Sequence, residues 1–225
     1  LFFVTKKGTV KRTTVTAFSN IRANGLIAIG LREGDELVNV MSTEGDETII
    51  IGTHDGYSVT FKEAVVRDMG RTASGVRGIR LRDEDYVIGS AVLKENQEVL
   101  VITEKGYGKR TKASEYPVKG RGGKGIKTAN VKEKNGPLAG LTTVTGDEDI
   151  LLITDKGVII RFNAGSVSQT GRATLGVRLM KMEGNTKVVT MAIVDKEDEE
   201  VEETETVEAA ETTEITEEAQ NDTEE

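Results

Sequence analysis

The chain is 225 residues long, carries 30 Lys plus Arg against 38 Asp plus Glu, and contains neither cysteine nor tryptophan. Without cysteine there is no disulfide framework and no thiolate metal site, which fits a reducing compartment. No apolar run approaches a membrane span, and LFFV at the start is too short for the apolar core of a secretory signal, so no membrane partner is expected.

The net charge of −8 hides an uneven distribution. Residues 195–225 hold 16 Asp and Glu and a single Lys, Lys196, a net of −15. Taking these from the whole leaves 29 basic and 22 acidic side chains on residues 1–194, a net of +7. The acidic segment has no apolar periodicity and repels itself, so a disordered tail over 195–225 is expected behind a folded, basic body over 1–194. That body is long enough to bury a core. Because the chain opens on Leu1 in what reads as mid-strand, it is expected to be a fragment whose N-terminal part is missing.

Short apolar runs bounded by Gly, Asp, Asn and Lys predict strands throughout. In chain order they are Leu1–Thr5, Thr9–Thr13, Gly25–Leu31 and Glu36–Ser42; then Thr48–Thr53, Tyr57–Phe61, Gly75–Leu81 and Tyr86–Val92. Glu98–Thr103, Tyr107–Thr111, Gly125–Val131 and Leu138–Val144 follow, and last Asp149–Thr154, Val158–Phe162, Gly176–Met182 and Thr186–Val194. The segments TKKGTVKRT, THDGYSVTFK, TEKGYGKRT and TDKGVIIRF each place a turn glycine between two runs, at Gly8, Gly56, Gly106 and Gly157. A second series, Gly25, Gly75, Gly125 and Gly176, keeps the same spacing of about fifty residues. The repeats run approximately over 1–46, 47–97, 98–148 and 149–194. Four short antiparallel strands per repeat predict an all-β, propeller-like array of four-stranded blades. Glycines of the first series supply the positive φ of a tight hairpin.

Candidates for covalent chemistry are thin. His54, the single histidine, sits in the THDG turn and reads as a solvent-exposed turn residue. No His, Cys or carboxylate groups recur at metal-ligand spacing, and Tyr57, Tyr86, Tyr107 and Tyr116 lack an activating partner in the sequence.

The cations, by contrast, keep register with the repeat. Four residues before the second glycine series stand Arg71, Arg121 and Arg172, with Arg22 three before Gly25; two residues after it stand Arg77, Lys127 and Arg178. Equivalent residues of an array fall at equivalent places around it, so these loops predict a positive track along one edge, suited to a regular polyanion. The plainer reading is that loops are commonly charged. VKGRGGKGIK is the densest segment, alternating Lys119, Arg121, Lys124 and Lys127 with Gly120, Gly122, Gly123 and Gly125. Arginine and lysine pair with phosphate oxygens and glycine lets backbone N–H groups approach them, although by composition the segment reads equally as a flexible loop. It is not a nucleotide-binding P-loop, because Ile126 stands where a Ser or Thr would be needed.

TEKGYGKRTKASEYPVKGRGGKGIK, TASGVRGIRL and the acidic tail together resemble the C-terminal domain of the DNA gyrase A subunit, from a bacterial type II topoisomerase, over essentially the whole chain. The resemblance implies a β-pinwheel whose neighbouring blades exchange a strand and which bends double-stranded DNA around a basic rim. The family's signature box reads QRRGGKG or a near variant. Lys119 to Gly125 is the nearest match, with Arg121, Gly122, Gly123, Lys124 and Gly125 fitting and Lys119 and Gly120 departing from it. The resemblance further implies partnership with the rest of the gyrase A polypeptide and with gyrase B in an A2B2 enzyme of the bacterial cytoplasm. The nucleophilic tyrosine belongs to another domain of that enzyme, and ATP and magnesium to the holoenzyme, so no cofactor is expected in this segment. The homologous C-terminal domain of topoisomerase IV is the alternative. A protein-interaction propeller of the tryptophan–aspartate repeat type is disfavoured by the absence of tryptophan.

Overall fold

A computed structural model describes residues 1–21 and 23–194; Arg22 and the acidic segment 195–225 lie outside the described residues. Each repeat begins with a hairpin: β1 Phe2–Thr5 with β2 Thr9–Arg12, β4 Thr48–Thr53 with β5 Tyr57–Lys62, β8 Glu98–Thr103 with β9 Tyr107–Lys112, and β12 Asp149–Thr154 with β13 Ile159–Asn163. The turns close identically, for a reason visible in the recurring Thr-x-x-Gly. The glycine amide donates to the threonine carbonyl at 3.0 Å in all four. The threonine hydroxyl then accepts the amide of the residue after the glycine, as from Thr9 to Thr5 at 3.1 Å and from Tyr107 to Thr103 at 3.2 Å. The turn glycines hold φ between +75° and +83°, as the hairpin reading requires.

The last strand of each repeat, β3 Leu37–Met41, β7 Val87–Val92, β11 Leu138–Val144 or β15 Val188–Val194, pairs on the other side of the first. Successive members of this series lie against one another, β3 against β7, β7 against β11 and β11 against β15. Small residues allow the approach: a Cβ on Gly89 would stand 2.8 Å from the Leu141 carbonyl oxygen, and Asn39 Nδ2 donates to Ser90 O at 2.8 Å.

The predicted third strands require correction. Gly75–Leu81, Gly125–Val131 and Gly176–Met182 do not form long strands within their own blades. Each contributes two residues, β6 Val76–Arg77, β10 Ile126–Lys127 and β14 Val177–Arg178, to the outer edge of the preceding repeat's hairpin. The sheets therefore read β3-β1-β2-β6, β10-β5-β4-β7, β11-β8-β9-β14 and β13-β12-β15. Gly25–Leu31 forms no strand, and β13 carries no added strand among the described residues. The donated strands are short because the chain then bends over the neighbouring turn glycine. Gly78 and Ile79 both donate to Gly8 O, at 2.8 and 3.2 Å, and Thr128 and Ala129 do the same to Gly56 O, as do Leu179 and Met180 to Gly106 O.

Strand alternation sends side chains to both neighbours. Ile49 and Ile51 of β4 pack with Phe2, Val4 and Val10 of the first repeat, whereas Ile50 packs with Val99, Val101 and Leu141 of the third. Leu100 and Ile102 of β8 likewise turn to Ile150 and Leu152 of the fourth. The core is thus three layers between blades. Besides strands, the described residues contain four 3-10 turns, and no helix long and apolar enough to cross a membrane.

Ile50 is fully buried between two blades and Ile27 is 65% exposed. Ile50→Ala is therefore expected to lower unfolding free energy by about 2–5 kcal/mol in a urea titration, and Ile27→Ala by no more than about 0.5 kcal/mol. Equal effects would contradict an interblade core.

Candidate nucleic-acid interface

The donated strands carry cations at one register position. Arg77, Lys127 and Arg178 are the second residues of β6, β10 and β14, at the outer edges of successive sheets, and all three are exposed. Arg77 and Lys127 side chains make no hydrogen bond or ion pair among the described residues. Arg178 Nη2 donates to the Tyr107 hydroxyl at 3.0 Å, with its guanidinium 5.4 Å from the ring centre.

The arginines four residues before each glycine have a different placement. Arg71 Nη1 donates to Ile27 O at 3.1 Å, Arg121 Nη1 to Arg77 O at 3.1 Å, and Arg172 Nη1 to Lys127 O at 2.7 Å. Arg121 and Arg172 thus fasten one donated segment to the next, and Arg71 fastens its own to Gly25–Leu31, each at the carbonyl two residues beyond the preceding glycine. Arg121 also gives Nε to Val65 O at 3.2 Å. It stays exposed, while Arg71 and Arg172 are half-buried.

In the glycine-rich loop, Lys119 and Lys124 are exposed, with side chains unpaired among the described residues. The expectation that its glycines open their amides to phosphate needs correcting in part. Gly122 N donates inward to Gly78 O at 2.6 Å, and Gly125 serves a close crossing, where an added Cβ would stand 2.6 Å from Ser58 O. Gly120 and Gly123 face open space, with nothing within 4 Å of a Cβ. Arg80 N donates to Gly123 O at 2.8 Å, and Arg82 gives Nη1 to Lys124 O at 2.9 Å while its guanidinium lies 3.3 Å from the Tyr57 ring centre. The sequence reading missed Arg80 and Arg82.

It also missed two buried lysines. Lys11 and Lys109, both three residues after a hairpin glycine, are at most 1% exposed. Lys109 Nζ donates to Gly171 O at 2.7 Å, to Arg172 O, and to Thr174 Oγ1 at 3.2 Å. Lys11 Nζ donates to Ala28 O, to Gly70 O at 3.3 Å and to Arg71 O at 2.5 Å. Each ammonium thus holds the Gly-Arg turn that precedes a donated strand. The recurring Lys-Arg-Thr of the first and third repeats was the available signal. Between the second and third repeats the position is Val59, and a cavity of about 200 Å³ lies there under the glycine-rich loop. Ser58 and Thr60, which also line it, have buried hydroxyls without a partner.

His54 is not the exposed turn residue expected. Its side chain is 22% exposed, stacked on Tyr86 with ring centres 4.5 Å apart, and 3.5 Å from both Asp55 and Glu104 carboxylates. His54, Asp55 and Asp85 also bring possible ligand atoms within 4.8 Å, a convergence not foreseen from spacing. Asp85 Oδ1 already accepts the Asp55 and Tyr86 amides, which makes this carboxylate a turn cap.

The sequence profile of the "DNA gyrase C-terminal domain, beta-propeller" family matches residues 1–44, 47–94, 97–145 and 148–195, one match per repeat. The chain belongs to this family. It is 71% identical over 197 residues to the DNA gyrase A polypeptide of Streptococcus pyogenes serotype M3, and 61% identical over 199 residues to that of Halalkalibacterium halodurans. Each alignment covers 88% of this chain and 24% of the relative, so the chain spans about a quarter of the length of these relatives. Its fold is similar to a crystal structure of the C-terminal domain of DNA topoisomerase IV, with a TM-score of 0.83 and 28% identity over 88% of this chain and 62% of that one. A DNA gyrase A C-terminal domain gives a TM-score of 0.78 and 27% identity over 85% of this chain and 64% of that one.

Burial pushes the Lys109 pKa down to about 8, with Glu115 opposing the fall and Arg172 adding to it, against 10.5 for a free lysine. Between these values the folded state binds fewer protons than the unfolded one, so stability is expected to rise with pH by on the order of 1–3 kcal/mol. Denaturant titrations from pH 7.5 to 10.5 should show the rise in the native chain and lose it in Lys109→Met. A slope unchanged by the substitution would reject the assignment.

Proposed function

We propose that the chain binds and wraps double-stranded DNA along its outer edge, and so presents a defined crossing from which a type II topoisomerase core introduces negative supercoils. The observation that supports this most directly is the register of Arg77, Lys127 and Arg178 on consecutive donated strands. Bending 20–30 base pairs by 40–90° costs on the order of 1–6 kcal/mol, which several distributed phosphate contacts can offset. Lys119, Arg121, Lys124 and the Gly122–Gly123 turn add a denser contact at the third repeat, and Arg71 and Arg172 join the track with donors left over from their carbonyl contacts; Arg22 is carried as a further member. In this reading the chain is part of DNA gyrase, working with the rest of the gyrase A polypeptide and with gyrase B as A2B2 in the bacterial cytoplasm. ATP and magnesium then act in the holoenzyme and not here.

A topoisomerase IV role, choosing among DNA crossovers, is the second reading, favoured by the fold similarity to that enzyme's domain. Identities of 61–71% to gyrase A polypeptides favour the first. Residues 195–225, at net −15, are proposed to compete with DNA for the basic edge.

Ligation of nicked circular DNA with the chain present tests wrapping: a shift of linking number is expected, and binding without a shift would reject it. Substituting Arg77, Lys127 and Arg178 by Ala should weaken duplex binding, reduce the slope of log K against log salt by about 0.9 per lost contact, and leave the melting temperature unchanged. Removing residues 195–225 should tighten binding at low salt, and the gain should fade as salt rises; equal affinities would leave the segment no inhibitory role.

A further inference from the structure

We infer that the crevice between the third and fourth repeats is a binding site for a compact polyphosphate that shares Arg178 with the duplex-binding edge. It is a cavity of about 460 Å³ between the Gly106 turn and the loop after β14, lined by Lys105, Lys134, Arg178, Lys181 and Lys187 around Tyr107. No Asp or Glu is among its lining residues. Lys134 and Lys181 have no partner among the described residues. Lys187 Nζ is held 2.8 Å from Glu104 Oε2, and Lys105 Nζ donates to Glu133 O. Arg178 is pinned by the Tyr107 hydroxyl, which at 3.0 Å fixes its guanidinium at the rim of the crevice.

The repeats themselves supply a control. One junction earlier, the positions of Lys105, Lys134, Lys181 and Lys187 are Asp55, Glu84, Asn130 and Pro137, with Lys127 in place of Arg178. The same fold therefore accommodates two acids and one cation there, and the five cations of the later crevice are not a requirement of folding. Lys187 is balanced by Glu104, while Lys105, Lys134, Arg178 and Lys181 have no carboxylate partner among the described residues and repel one another, a repulsion that a multivalent anion removes. A chain of phosphates satisfies several ammonium groups and a guanidinium at once. The hollow is open to solvent, with all five cationic residues exposed, and its volume suits a small ligand, whereas a duplex is a broad rod that meets an extended edge. Arg178 is common to the crevice and to the outer edge. If the DNA-binding reading holds, which this last step requires, an occupied crevice withdraws one cation from DNA.

Isothermal titration calorimetry of the chain with sodium tripolyphosphate, without DNA, tests the site directly. Saturable one-to-one binding is expected, weakened about tenfold or more in Lys134→Ala/Lys181→Ala with an unchanged melting temperature. Titration with a nucleoside triphosphate separates the sources: equal affinity assigns recognition to the phosphates alone, and tighter binding assigns the nucleoside a share of the crevice. Absence of saturable heat with both ligands, or binding untouched by the double substitution, would overturn the inference. So would a double variant that loses duplex affinity where the native chain binds no tripolyphosphate, because the crevice would then belong to the DNA track. Tripolyphosphate binding by a chain that fails to bind duplex would leave this site standing and remove the DNA reading alone.

Discussion

The fold depends on the carbonyl oxygen of each hairpin glycine. Gly8 O, Gly56 O and Gly106 O each accept two consecutive amides from the following repeat, and that double contact bends the donated segment over the turn. An L side chain at the glycine would block it twice, through the positive φ and through space. A Cβ on Gly106 would stand 2.6 Å from Met180 O, and one on Gly56 2.9 Å from Ala129 O. Because a repeat completes its outer edge only with its neighbour's strand, no blade is a closed unit. Successive repeats are joined by backbone pairing as well as by the apolar layers between them, the nearest-neighbour coupling of a repeat array.

This coupling also decides where charge appears. Beyond the crossing glycines Gly75, Gly125 and Gly176 the donated strand is the sheet's edge, paired along one side with the hairpin and with its second residue exposed. A cation at that residue is displayed at every junction without desolvation. The buried ammonium groups do the opposite. Lys11 and Lys109 lie inside the edge, where loss of water is offset by carbonyls of the turn they hold, with the Phe3 ring 4.8 Å from Lys11 Nζ. At Val59 that device is missing, and the turn above it is the glycine-rich loop, already carrying Lys119, Arg121 and Lys124. A buried ammonium there would add like charge behind a cationic loop. The cavity is what remains in its place.

Much of this was legible in the sequence because local chemistry repeats. The Thr-x-x-Gly turn needs only residues within its own segment, so its glycines announced four hairpins and their conformation. The exchange of a strand between neighbouring blades, which the family resemblance implies, is present. Composition alone misjudged the length of the donated strands and could not give their partner, since Gly125–Val131 has a strand-like composition whichever hairpin receives it, and that hairpin lies more than sixty residues back in the chain. The burial of Lys109 was hidden likewise, as its three acceptors belong to residues 171–174. His54 reads as a turn residue in THDG, and only Tyr86 and Glu104, brought by later strands, enclose it.

The arginine register shows why sequence could find the edge but not divide its labour. Arg121 and Arg172 keep the period expected of phosphate ligands, yet their Nη1 atoms hold the carbonyls of Arg77 and Lys127, the residues whose own side chains are free. A guanidinium has five donors, so fastening one carbonyl leaves others for an outside anion. Each arginine therefore fixes the backbone beneath the displayed cation of the preceding repeat. Binding a polyanion normally costs the ordering of long flexible side chains and of the loops that carry them, and a backbone fixed beforehand reduces the second part. Arg178, whose carbonyl no arginine among the described residues holds, has its side chain held by Tyr107 instead. Periodicity in the sequence thus records two interlocked series, one displaying charge and one holding the display in place.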